Sequence, residues 1–219
     1  MKVQFFDTTL RDGIKLPFVA LGIAERLLFA RQLGALGVDV IDVGYPASSR
    51  EEREAASRLA CDVRGPYVSL LCRATVEDVQ AVGRLLHGCE KPYLHIFLPS
   101  SEQFLRGVLK RGPAECLTLV RDCLSAARDV LQSAAAARLQ FSFGEVADAD
   151  RAGLLASLSR DCVALDVVVD SRFGLDLLRA AVVPGDRLGV LVDVDIAMGR
   201  TGTRKLETVL ALAETARAT

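Results

Sequence analysis

The chain has 219 residues, just over half of them hydrophobic, which is enough to bury a sizeable core in one domain spanning residues 1–219. Its 27 basic and 28 acidic residues leave a net charge of −1, which gives no support to an electrostatic nucleic-acid binder. Six cysteines (Cys61, Cys72, Cys89, Cys116, Cys123 and Cys162) lie scattered without a CxxC pair, a pattern of reduced, buried thiols and not of a disulfide framework or a structural zinc site.

In chain order, short apolar or β-branched runs alternate with longer helical patterns. Strands are predicted at 3–6, 38–43, 67–72, 93–98, 139–143, 165–169 and 188–194. Helices are predicted at 23–36, 51–60, 76–86, 114–131, 151–158 and 205–218. Strands alternating with helices imply βαβ units and a parallel sheet. The strands read as near-continuous apolar runs, as they do when both faces are buried. The chain enters its first strand without a charged region and an apolar stretch before it, so no signal peptide is expected. No apolar run approaches the length of a membrane span, and a cytoplasmic protein is the default expectation.

Polar residues gather where the strands end. The first of these clusters, Phe6-Asp7-Thr8-Thr9-Leu10-Arg11-Asp12-Gly13, is the densest in chemistry. It delivers carboxylates and a guanidinium into the turn after the first strand, with Gly13 freeing the backbone to bend. At the carboxyl end of a barrel strand, such groups sit where catalysis occurs. Arg11 then serves as a permanently charged donor for an oxyanion, at a solvent-accessible position. Asp12 is a hard oxygen ligand for a divalent cation. Further clusters are Asp42 to Pro46, Arg73, Pro99 to Glu102, Gly144-Glu145, Asp170 to Arg172 and Asp193-Val194-Asp195.

These residues resemble a known family. Phe6 to Gly13, together with Gly37-Val38-Asp39-Val40-Ile41-Asp42-Val43-Gly44-Tyr45-Pro46, is similar to the first two strands of isopropylmalate synthase, homocitrate synthase and hydroxymethylglutaryl-CoA lyase, the DRE-TIM metallolyases. Weaker similarity continues through Arg73-Ala74-Thr75 with Asp78, His95 to Ser101, Phe141-Ser142 with Glu145, and Asp170 to Gly174. The resemblance implies a TIM (β/α)8 barrel, here shortened to about seven βα units where such a barrel usually needs about 250 residues. It also implies a divalent metal at the barrel mouth. Synthases of the family join an acyl-CoA to a 2-oxo acid, and lyases run the reverse cleavage. Carried over, Asp12 is a metal ligand and Arg11 steadies the enolate or oxo-acid oxygen. Asp42, where the family has Glu, and Glu145 move protons. Arg11, Arg73, His95 and Ser101 contact substrate, although on the residues alone His95 is equally a satisfied core histidine.

Two departures bear on activity. The family follows Asp-Gly with a residue and then Gln, whereas Gly13 is followed by Ile14-Lys15-Leu16. The family's two histidine ligands come as HxHND, and this chain's two histidines, His87 and His95, lie in no such pattern. One register sets Asp193-Val194-Asp195, with Gly199, in their place. A competing register aligns 196–203 with a later glycine-rich segment, and both put Asp195 at a ligand position. A site of Asp12, Asp193 and Asp195 is all-oxygen and suits Mg²⁺ or Mn²⁺ better than Zn²⁺.

Two functions follow from the resemblance. One is a metal-dependent enzyme forming or cleaving carbon–carbon bonds of a 2-oxo acid, either by acyl transfer from an acyl-CoA or by aldol or lyase chemistry. The other is a degenerate synthase-like barrel that binds a small acid or acts as a partner subunit. Either way a homo-oligomer or a pairing with another subunit is expected, without nucleic acid or membrane.

Overall fold

The computed structural model describes residues 4–98, 105–131, 138–142, 149–160, 165–186, 188–194 and 202–217. In chain order its elements are β1 (Phe6–Asp7), α1 (Ile23–Ala35), β2 (Val40–Asp42), α2 (Arg50–Asp62), β3 (Tyr67–Arg73), α3 (Val76–Leu85) and β4 (Pro92–Phe97). There follow a π-helical turn (Leu105–Leu109), α4 (Pro113–Leu131), β5 (Arg138–Ser142), α5 (Ala149–Ser159), β6 (Leu165–Val169), α6 (Arg172–Ala181), β7 (Leu188–Val192) and α7 (Leu206–Arg217).

The contacts divide into two compact units, one of Lys2–Phe97 with Leu119–Leu139 and one of Leu98–Thr118 with Gln140–Thr219. In the first, β1 to β4 lie side by side in chain order, all parallel. One sheet face carries Ile41, Val68, Leu70, Cys72, Leu94 and Ile96, each fully buried. Ala55, Ala56, Leu59 and Ala60 of α2 and Val79 and Val82 of α3 are buried with them. The three alanines keep the α2 backbone close to its neighbours. A Cβ at Gly83 of α3 would collide with the Val130 side chain of α4, so glycine there is a packing requirement. Period 2 puts Phe6, Asp42, Ser69, Tyr93 and His95 on the opposite face, which is buried too but polar and aromatic.

Local chemistry sets the ends of these helices. Ser49 and Thr75 accept the backbone N–H groups of Glu52 and Asp78 at 3.1 and 3.2 Å, capping α2 and α3. Helix α1 closes through Gly37 at φ 87°, with Val38 N donating to Leu33 O and Gly37 N to Gly34 O.

In the second unit, β6 and β7 pair in parallel from Leu165↔Leu188 to Val169↔Val192. Leu165, Val167 and Val169 are buried, as are Leu175 and Leu178 of α6. Ser171 caps α6 by accepting from Gly174 N at 3.3 Å. Arg172 ties α6 to α7, with Nη1 donating to Thr215 Oγ1 at 3.4 Å.

All seven predicted strands form, and all six predicted helices. The sequence reading missed α6, taking Asp170 to Arg172 only as a polar strand end. It also missed the π-helical turn. Helix α6 is short, and its apolar stripe (Leu175, Leu178) lies between two apolar strands whose run hides the change of period. Among the described residues no helix is long and apolar enough to cross a membrane. The described cysteines are all free thiols, and Cys162 lies outside the described residues.

Candidate active site

The turn after β1 is built before any side chain reaches out of it. The Asp7 carboxylate accepts Thr9 N and Thr9 Oγ1, both at 3.0 Å, while Thr8 O accepts Arg11 N at 3.0 Å and Asp12 N at 2.8 Å. Leu10 is fully buried beneath it. Gly13 is not in the left-handed region, contrary to the expectation that it frees the backbone. A Cβ there would approach Thr9 Cγ2 to 3.2 Å, so the residue supplies space.

Arg11 and Asp12 leave this turn in contact with one another, Arg11 Nη1 to Asp12 Oδ2 at 2.9 Å. Arg11 Nε donates to Asp42 Oδ2 at 2.6 Å. Only 13% of the Arg11 side chain and none of Asp42 is exposed, so the solvent-accessible Arg11 expected from the sequence is corrected to a largely buried one. Burial alone pulls the guanidinium pKa down, but the carboxylates of Asp42 and Asp12 outweigh it and raise the value. Those two contacts engage Nε and Nη1 of the guanidinium.

His95 of β4 completes the group, its Nδ1 3.3 Å from Asp42 Oδ2. A carboxylate only accepts, so the hydrogen of this contact is carried on Nδ1. Phe6 stands edge-on to His95 with ring centroids 6.2 Å apart, and edge-on to Tyr93 at 5.5 Å. His95 is therefore a buried histidine held by a carboxylate.

At the rim, Lys15 Nζ lies 3.5 Å from Asp12 Oδ1, so each oxygen of Asp12 faces a cation. Arg73, at the carboxyl end of β3, is clamped by Asp78, with Nε to Oδ2 at 2.6 Å and Nη2 to Oδ1 at 2.9 Å. This pairing raises the Arg73 pKa and lowers that of Asp78. Gly44, at φ 147°, leads into Tyr45, whose phenol is pushed up by burial. A Cβ on Gly44 would come within 3.0 Å of Glu52 Oε2.

Of the residues expected at the site, Arg11, Asp12, Asp42 and His95 thus form one connected group. Arg73 is held by Asp78 outside that group. Asp193 belongs to the second unit, where its N–H donates to Val169 O at 2.8 Å and its carbonyl accepts Thr203 N at 3.1 Å. Ser101, Glu145 and Asp195 lie outside the described residues. Among the described residues no group of three His, Cys, Asp or Glu side chains is placed to hold a metal. Ser69, in register with Asp42, was missed by the sequence reading; its place two residues before Leu71 and four before Arg73 on one face of β3 was the available signal.

Comparison with known proteins fits this geometry. The chain is 42% identical to 2-isopropylmalate synthase of Pyrococcus furiosus over 114 residues, 52% of this chain and 23% of that one. It is 33% identical to 2-isopropylmalate synthase of Solidesulfovibrio magneticus over 159 residues, 73% of this chain and 30% of that one. The chain therefore spans less than a third of the length of these relatives. Among solved structures, HMG-CoA lyase from Brucella melitensis superposes with a TM-score of 0.65 at 15% identity, covering 97% of this chain and 77% of that one. Hydroxymethylglutaryl-CoA lyase from Pseudomonas aeruginosa gives 0.58 at 20% identity, covering 86% and 67%. These likenesses show the fold, a shortened TIM-type α/β barrel fold with parallel strands. The profile of the HMGL-like family matches residues 2–161, most of the chain, and the protein belongs to that family, the DRE-TIM metallolyases.

Proposed function

We propose that the protein catalyses carbon–carbon bond formation or cleavage on a 2-oxo acid with the help of a divalent cation, as an acyl transfer from an acyl-CoA or as a lyase reaction. The observation that carries this reading is the connected group Arg11–Asp42–His95, with Asp12 on its open side. Arg11, fixed by Asp42, offers its guanidinium to the oxyanion of an enolate or to the acid's carboxylate. Asp42 holds Arg11 and His95 in a single orientation. Glu145, or Asp42 itself, accepts or returns the proton, and His95 contacts substrate. Arg73 and Ser101 contact substrate at the strand ends.

Asp12 is the described side chain suited to a hard cation. Its oxygen donors fit Mg²⁺ or Mn²⁺ better than Zn²⁺, and its partner at Oδ1, Lys15, is a displaceable surface ammonium. A bound cation would polarise the carbonyl of the 2-oxo acid.

The test supplies 2-oxo acids with acetyl-CoA and Mg²⁺ or Mn²⁺ and follows release of the free CoA thiol; the reverse assay follows cleavage of the corresponding hydroxy acids. Turnover lost in Arg11→Lys and Asp12→Asn supports the reading. Absence of turnover in both directions, with the fold intact, overturns it. The second reading, a barrel that binds a small acid or pairs with another subunit without turnover, is favoured by one observation: both Asp12 oxygens already face protein cations.

A further inference from the structure

Within the buried face of the first unit, two polar atoms have no hydrogen-bond partner among the described residues: Asp42 Oδ1 and Ser69 Oγ. Both side chains are fully buried. They are also direct register partners on adjacent parallel strands, Asp42 of β2 opposite Ser69 of β3. Neighbouring strands lie about 4.8 Å apart, and residues in register project to the same side. One atom is an acceptor carrying negative charge. The other is a hydroxyl whose hydrogen rotates freely. Leaving either unsatisfied in a protein interior is costly, and a carboxylate oxygen is the costlier of the two. The carboxylate's other oxygen, Oδ2, already takes both Arg11 Nε and His95 Nδ1.

We propose that Ser69 is a positioning residue of the site, its hydroxyl donating to Asp42 Oδ1 through one water. This third hydrogen bond fixes the plane of the carboxylate. Through that plane it fixes the directions in which Arg11 Nε and His95 Nδ1 are held. Ser69 itself touches no substrate. The inference builds on the Asp42 of the proposed site but not on the reaction assigned to it, and its test needs no substrate.

The two possible roles of Ser69 give opposite signs on substitution. If the hydroxyl is a buried orphan, Ser69→Ala removes an unsatisfied group and the protein melts at the same or a higher temperature. If it holds Asp42, Ser69→Ala strands a carboxylate oxygen, and the melting temperature falls by about 2–4 °C. The Arg11 Nε–H resonance in a ¹⁵N-labelled sample reports the orientation of the carboxylate. It is expected to shift in Ser69→Ala and to return toward the parent position in Ser69→Thr, which restores a hydroxyl. An unchanged or raised melting temperature with an unmoved Arg11 resonance overturns the proposal. Failure of the protein to turn over any 2-oxo acid leaves this outcome unaffected, so the two results are separately readable.

Discussion

Arg11 does two jobs with one guanidinium, and they make different demands. Toward the site it presents donors; toward the interior it neutralises Asp42, which has no exposed surface. Removing one partner of a buried ion pair typically costs about 3–5 kcal/mol, because the charge left behind stays desolvated. Arg11→Ala is therefore expected to destabilise the fold by about 3 kcal/mol, well beyond an ordinary surface substitution. Arg11→Lys keeps the charge but loses the planar fork, and is expected to retain most of the stability while losing the ligand contact. Urea denaturation of both variants checks this. An Arg11→Ala protein as stable as the parent would show that the Arg11–Asp42 contact does not form.

Among the elements, α3 shows how one local pair sets both a boundary and a pH response. Thr75 caps the helix, and Asp78 in its first turn reaches back to clamp Arg73 at the end of β3. The Asp78 pKa is lowered, first by the hydrogen bond from Arg73. A depressed carboxylate contributes stability above its unfolded pKa and loses it as pH falls through the folded value. The loss belongs below about pH 4, the unfolded carboxylate range. Arg73 is 62% exposed, so the contribution is under about 1 kcal/mol. In Asp78→Asn the fall in stability on acidification should be shallower over that range, measured by urea midpoints at successive pH values. An unchanged slope would mean solvent screens the pair completely.

The same elements show what was legible in the sequence. Strands such as Tyr67–Arg73 were plain because both faces are buried and the run is continuously apolar. The caps at Ser49 and Thr75 and the glycine at 37 lie within a few residues of the helix ends they set, although the sequence analysis did not draw on them. Arg11, Asp12, Asp42 and His95 were legible one by one in the sequence, but not as a connected group. The role of His95 depends on a carboxylate 53 positions earlier, and the burial of Arg11 depends on one 31 positions later. Neither follows from spacing along the chain. Ser69 was missed for the same reason: alternation puts it on the Arg73 face of β3, but its role depends on the register that sets Asp42 beside it.

At the scale of the whole molecule, the question is whether a divalent cation that binds at Asp12 stabilises the fold. Asp12 belongs to the first compact unit. A ligand that binds only the folded state stabilises it by mass action, by about 2.7 kcal/mol at a hundredfold excess over its dissociation constant. In a chain of this size that raises the melting temperature by roughly 5–10 °C. Mg²⁺ or Mn²⁺ is expected to produce such a rise, with Asp12→Asn abolishing it. Lys15 supplies the sharper control, because its ammonium lies against Asp12 Oδ1 where a cation would bind. Lys15→Met removes that competitor. It should enlarge the metal-induced shift at subsaturating concentration while leaving the metal-free melting temperature nearly unchanged, since an exposed pair contributes little. A rise that Asp12→Asn does not affect would place the cation elsewhere. No rise with any divalent ion, in the parent or in Lys15→Met, would sink the metal-dependent reading and leave Arg11 and Lys15 as a paired cationic cradle for a small acid.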